Sequence, residues 1–114
     1  MKKVSFLMLA LFAIVIMAGV STVHAQASFD PQKAIAAGDH KGLANYYKSQ
    51  ADAQRKIADM HDAMRANYGK DHVHYKGSEN VMTGHCMNLK GQALKSADDY
   101  DALAAQEAKL AEKK

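Results

Sequence analysis

A glycine-bounded loop near the middle of this 114-residue chain constrains its fold more than any other feature. The loop spans 69–77 and separates two segments in which apolar residues recur at alternating steps of three and four. That spacing places side chains on one face of an α-helix. Two helices of about 30 residues, each roughly 45 Å long, run antiparallel when so short a loop joins them. The sequence therefore predicts an all-α fold built on an antiparallel helical hairpin.

The first long helix is predicted over 39–68, with Asp39 as its N-cap and Gly69 just past its end. One apolar stripe along it is expected to face the second helix: Leu43, Tyr46, Gln50, Ala53, Ile57, Met60 and Met64. Four residues flank that stripe: Tyr47, Gln54, His61 and Tyr68. An N-terminal segment over 26–38 precedes the first long helix. It contains a short helix that begins at Asp30-Pro31 and stops at Gly38.

The second long helix is predicted over 78–111, with Ser78 as N-cap and Glu79 in the first turn. Its heptad seam is Met82, Cys86, Leu89, Ala93, Ser96, Tyr100, Leu103, Glu107 and Leu110, widened by Leu94 and Ala97. Folding the chain about Val73 predicts facing residues. The predicted layers are Leu43 with Leu103, Tyr46 and Tyr47 with Tyr100, Gln50 with Ser96, Ile57 with Leu89, His61 with His85, Met60 with Cys86, and Met64 with Met82.

The two helices carry many alanines and few large aliphatic residues. A lone hairpin of this composition has little core to bury. We therefore expect self-association, most simply a homodimer in which two hairpins form a four-helix bundle.

The first 25 residues have the pattern of a secretory signal peptide. Lys2 and Lys3 precede the apolar run 4–20, and small residues at Val23 and Ala25 mark a cleavage site before Gln26. Cleavage before Ser28 is an alternative, and an uncleaved membrane anchor is another because the run is close to the lower length for spanning. The expected location is periplasmic, with membrane contact only through the signal peptide before cleavage.

Charge and cysteine content exclude several function classes. Of 15 Lys and Arg, two leave with the signal peptide, so 13 remain against 12 Asp and Glu and the mature net charge is +1. That balance does not fit a nucleic-acid-binding protein. The single cysteine, Cys86, has no partner for an internal disulfide, and no Cys-x-x-Cys-His motif is present for covalent haem.

A cluster of soft donors is expected where the helices meet the loop: His61, Met64, Met82, His85 and Cys86. Thiolate, thioether and imidazole together favour Cu(I), or less distinctively Zn²⁺. Since His85 and Cys86 are adjacent on a helix, the expected ligand set is His61, Met64, Met82 and one of those two. The alternative is that the methionines and the cysteine are core residues.

Three further readings stay open. The loop pair His72-x-His74 with Asp71 is an alternative metal site. Non-covalent haem bound between His and Met ligands is an alternative cofactor. Cys86 with a neighbouring histidine is a candidate thiol centre. No Ser-His-Asp order, phosphate-binding loop or paired-carboxylate motif is evident in the sequence, so no enzyme activity is predicted.

Short motifs recur along both helices: His40-x-x-Leu43-Ala44-x-Tyr46-Tyr47, His61-x-x-Met64, His85-Cys86-x-x-Leu89 and Tyr100-x-x-Leu103-Ala104. Over 39–104 this pattern resembles short, uncharacterised exported helical-hairpin proteins of proteobacteria. Gly84 and Gly91 depart from it, because the second helix is usually less interrupted. The resemblance implies compartment and fold but no activity.

Function is therefore predicted at three levels. The first is a structural or interaction module of the periplasm, either self-associating or docking another envelope protein. The second is a soft-metal protein that binds copper through the cluster above. The third is a thiol enzyme or redox sensor at Cys86.

Overall fold

A computed structural model describes residues 28–113 and places three helices in them, α1 (Pro31–Ala37), α2 (His40–Lys70) and α3 (Glu79–Glu112). The all-α prediction is confirmed for this part of the chain. α1 packs on α2, and α2 packs along α3. The predicted signal peptide, 1–25, lies outside the described residues. Within 28–113 no helix combines the length and the hydropathy that a bilayer crossing requires.

Local capping explains where α1 and α2 begin. The carboxylate of Asp30 accepts hydrogen bonds from the backbone N–H groups of Gln32 (3.0 Å) and Lys33 (3.3 Å). α1 ends at Gly38, whose φ of 64° lies in the left-handed region that glycine adopts without steric cost. One residue later the Asp39 carboxylate accepts from the Gly42 N–H at 2.9 Å and starts α2.

The start of α3 differs in detail from the sequence prediction. Ser78 occupies the N-cap position, but its side chain makes no capping bond. Its hydroxyl donates instead to the Tyr75 carbonyl oxygen at 3.1 Å. The carboxylate of Glu79 accepts from the Gly77 N–H at 2.8 Å. The Glu79 carboxylate thus ties the loop to the start of α3, but it does not replace the capping bond that Ser78 was expected to make.

Contacts between α2 and α3 show that the two helices run antiparallel. His40 Nδ1 lies 2.7 Å from Glu107 Oε2, and the ring of Tyr47 stacks on Tyr100 with centroids 6.2 Å apart. From the first pair to the second, the residue number rises by seven on α2 and falls by seven on α3. The two helices therefore run in opposite directions. The predicted layer of Tyr47 with Tyr100 is therefore confirmed.

Alanine is the commonest residue in the seam between α2 and α3, at seven of sixteen positions. We define the seam as sixteen positions at alternating steps of three and four, none of them exposed. On α2 they are Ala44, Tyr47, Ala51, Gln54, Ala58, His61, Arg65 and Tyr68. On α3 they are Cys86, Lys90, Ala93, Ala97, Tyr100, Ala104, Glu107 and Ala111. Small side chains at these positions let the two helices approach closely.

The predicted α2 stripe is wrong as a description of this seam. Of its members, Ala53, Ile57 and Met60 are exposed, whereas the residues predicted to flank it lie in the seam. On α3 the prediction was half right, because Cys86 and Ala93 lie in the seam but Leu89 and Leu103 do not. The reason is size, since alanines rather than the larger apolar residues fill the close contact.

Candidate functional site

The helix pair has one side that is almost uncharged, which we call the apolar face. It consists of the residues that immediately precede each seam residue. On α2 these are Leu43, Tyr46, Gln50, Ala53, Ile57, Met60, Met64 and Asn67; on α3 they are His85, Leu89, Gln92, Ser96, Asp99, Leu103, Gln106 and Leu110. Asp99 is the one member of this set that is an Asp, Glu, Lys or Arg.

The opposite side, the charged face, consists of the residues that follow each seam residue. On α2 these are Asn45, Lys48, Asp52, Arg55, Asp59, Asp62, Ala66 and Gly69; on α3 they are Met87, Gly91, Leu94, Asp98, Asp101, Ala105, Ala108 and Glu112. Eight of these sixteen residues are charged, against one of sixteen on the apolar face. Contact between Arg55 and Asp101 shows that following positions of the two helices share a side. Preceding positions therefore share the other side.

Ion pairs join the two helices across the charged face. Arg55 bonds to Asp101, and Lys90 Nζ on the seam lies 3.0 Å from Asp62 Oδ1. The bond to Asp101 raises the pKa of the Arg55 guanidinium. Hydrogen bonds first from Lys90 and then from Arg65 lower the pKa of the Asp62 carboxyl below its ordinary value. Four of the eight charged residues on this face, Asp52, Arg55, Asp62 and Asp101, thus form ion pairs within the chain.

Large apolar side chains on the apolar face lie open to solvent. Ile57 is 38% exposed, Met60 51%, Leu89 44% and Leu103 46%. Met64 and Leu110 are half-buried. Leu43 is buried at 1%, and it lies at the end of the face where α1 packs on α2. Large exposed apolar side chains grouped on one side of a helix pair are typical of a surface of protein association. The apolar face is therefore the leading candidate for a functional surface.

The five predicted metal ligands are placed differently from one another. Cys86 is buried with a free thiol, and His61 lies in the seam opposite it: both sit two heptads from the Tyr47–Tyr100 pair in the same register. Met64 and Met82 are half-buried, whereas His85 is exposed on the apolar face. Of the two adjacent candidates, Cys86 therefore lies at the level of His61 in the seam, and His85 does not.

His61 has a feature that the sequence does not reveal. Its Nδ1 atom is buried and has no hydrogen-bond partner. A buried polar atom without a partner is destabilising. This nitrogen is therefore free to bond to a ligand. Within 28–113, no group of three or more His, Cys, Asp or Glu side chains is arranged to hold a metal ion. A metal here would need thioether ligands from Met64 or Met82.

The loop histidines are engaged in local ion pairs. His72 Nδ1 lies 3.2 Å from Glu79 Oε1, and His74 Nδ1 lies 3.0 Å from Asp71 Oδ2. Bonds from His74, first through its backbone N–H, lower the pKa of the Asp71 carboxyl. The two histidines thus pair with separate carboxylates, and the alternative site at His72-x-His74 gains no support from this geometry.

Comparison of the chain with family models, with curated proteins and with solved structures found no match in any of the three. The features that bear on function are therefore the apolar face, the charged face and the seam layer that contains His61 and Cys86.

Proposed function

We propose that this chain is an exported structural and interaction module of the periplasm, in which two helical hairpins join through the apolar face as a four-helix bundle. The observation that supports the proposal is that small apolar residues are buried between the helices while larger apolar residues are exposed. Residues buried between α2 and α3 are mostly alanines, while Ile57, Met60, Leu89 and Leu103 remain exposed on one side. Leucine and isoleucine normally supply the core, so a surface that covers them completes the fold.

A second copy fits this surface better than a charged partner does. One Asp, Glu, Lys or Arg among the sixteen positions of the apolar face means that two such faces meet with few like charges opposed. Each face is about 30 Å long over 20 residues and about 20 Å wide across two helices. That gives roughly 600 Å² per copy, or about 1,200 Å² in total, the lower end of specific interfaces.

Sedimentation equilibrium of the chain from Gln26 at micromolar concentration tests the proposal. Wild type is expected to sediment as a dimer. Ile57→Lys is expected to raise the dissociation constant at least about tenfold, because it buries an ammonium group with no counter-charge. Ala63→Lys is the matched control, since Ala63 lies on the same helix and is exposed away from the apolar face.

A wild-type monomer at these concentrations would contradict the proposal. So would equal dimerisation by Ile57→Lys and Ala63→Lys, because it would move the contact away from the apolar face. Dimerisation that is lost in both lysine variants would show a response to charge in general and would contradict it as well.

A second function, Cu(I) binding, is favoured by the buried, unpartnered Nδ1 of His61 at the level of the buried Cys86 thiol. Met64 and Met82 lie within one turn of these residues on their helices and would supply the thioether sulfurs. The proposed ligands are His61 and Cys86 with one or both methionines. Zinc is the less favoured ion, because thioether ligands select the softer Cu(I).

Competition titration of reduced protein against a Cu(I) chelator tests this second function. Cys86→Ser and His61→Ala are each expected to weaken binding at least about tenfold, whereas His85→Ala, the exposed neighbour, leaves it unchanged. Affinity is expected to fall in acid, because protons compete with the metal for its ligand atoms. Equal binding by wild type and Cys86→Ser would assign these residues to core packing alone.

A further inference from the structure

We propose that α1 covers the α2 half of the apolar face at the end farther from the loop, and so keeps a second copy off Leu43 and Tyr46. This inference rests on the proposed function, since it concerns the extent of the same interface. It assigns a role to a seven-residue helix that contributes nothing to the contact between α2 and α3.

The evidence is a difference in exposure between the two helices at one end of the apolar face, since the His40–Glu107 and Tyr47–Tyr100 contacts put Leu43 and Leu103 at the same level. Leu43 and Leu103 are both leucines on the apolar face, yet Leu43 is 1% exposed and Leu103 is 46% exposed. α1 packs on α2, and its one buried residue is Ala34, at 7%. Phe29, just before α1, stacks on Tyr46 of the same face with ring centroids 5.3 Å apart. The segment 29–37 therefore lies over Leu43 and Tyr46 on the α2 half of this end and leaves Leu103 on α3 uncovered.

The same segment leaves the rest of the face uncovered. Ile57, Met60 and Leu89 lie nearer the loop and keep between 38% and 51% exposure. A partner helix that docked along the whole face would have to displace α1 from Leu43 and Tyr46. With α1 in place, the second copy has access to Leu103 on α3 and to the surface around Ile57 and Leu89, but not to Leu43. α1 thus sets how much of α2 a second copy contacts.

Substitution of two alanines in α1 tests this role in the full mature chain. Ala34 is buried against α2, whereas Ala36 on the same helix is exposed. Ala34→Arg is expected to dislodge α1, because a guanidinium replaces a methyl group in a closed contact. Amide hydrogen exchange over 31–37 should then accelerate. The uncovered Leu43 and Tyr46 should lower the dimer dissociation constant about tenfold or give species larger than a dimer. Ala36→Arg should behave as wild type.

Three outcomes would overturn the inference. Unchanged exchange over 31–37 in Ala34→Arg would show that the Ala34 contact does not hold α1. An unchanged dissociation constant with α1 displaced would show that α1 does not limit the interface. A weaker dimer in Ala34→Arg alone would make α1 part of the contact with the partner. A monomeric wild type, in contrast, would refute the proposed function itself and is recognised before any variant is made.

Discussion

The seam and the apolar face use opposite side-chain sizes. The buried seam has Ala51, Ala58 and Ala97 at 0–1% exposure, while the apolar face one position away has Ile57 and Leu103 at 38% and 46%. Both surfaces contain apolar residues, so hydrophobicity alone does not assign them. Close approach of α2 and α3 therefore requires small residues between them, and the larger residues are available for a different contact.

The largest effect is expected from placing a large residue in the seam. Ala51→Leu adds three carbon atoms at a position with 0% exposure and is expected to cost about 1–3 kcal/mol of unfolding free energy. For a domain of this size that lowers Tm by roughly 5–20 °C. Ala63→Leu, on the exposed side of the same helix, is the control for helix propensity. Equal melting temperatures by circular dichroism would show that the seam is not closely packed.

A smaller effect is expected on the charged face. Arg55→Ala removes the bond to Asp101 between the helices, but the side chains are substantially exposed and such pairs contribute little. Tm should fall by less than in Ala51→Leu, and the difference should vanish near 1 M salt, where screening acts over about 3 Å. The dimer dissociation constant should not change. A loss of dimer in Arg55→Ala would contradict the division into two faces.

The smallest effect concerns pH. Lys90 and Arg65 lower the pKa of Asp62 in the folded chain, so this carboxylate stabilises the fold above its unfolded pKa of about 3.9. The contribution is lost as pH falls further, through the lowered folded value. Carboxyl NMR titration should find Asp62 below the ordinary range, and Lys90→Gln should move it upward. An Asp62 pKa unaffected by Lys90→Gln would rule out this ion pair in solution.

Much of the helical architecture was accessible from the sequence because its signals are local. Asp30, Gly38 and Asp39 act through bonds to residues two to five positions away, and helical periodicity marked both long segments. The layer of Tyr47 with Tyr100 followed from the loop position alone. These features require no knowledge of how closely the helices approach.

The seam was not predicted because large apolar residues are a stronger sequence signal for a helix contact than alanines are. Alanines spaced by seven, such as Ala51 with Ala58 and Ala97 with Ala104, were the available signal. Reading them as contact residues would have moved Ile57 and Leu89 to the apolar face. The same rotation brings His61 opposite Cys86 instead of His85. The unpartnered Nδ1 of His61 depends on packing in three dimensions, so no sequence pattern reveals it.

One pair of leucines tests the central claim most directly, because the two differ mainly in the side of the helix on which they lie. Leu89 is 44% exposed on the apolar face, and Leu94 is 42% exposed on the charged face of the same helix. Sedimentation equilibrium of Leu89→Lys and Leu94→Lys, each against wild type, compares the same substitution on both faces. The account predicts that Leu89→Lys raises the dimer dissociation constant at least about tenfold, while Leu94→Lys leaves it within twofold. Equal weakening by both substitutions, or a larger effect at Leu94, would contradict it.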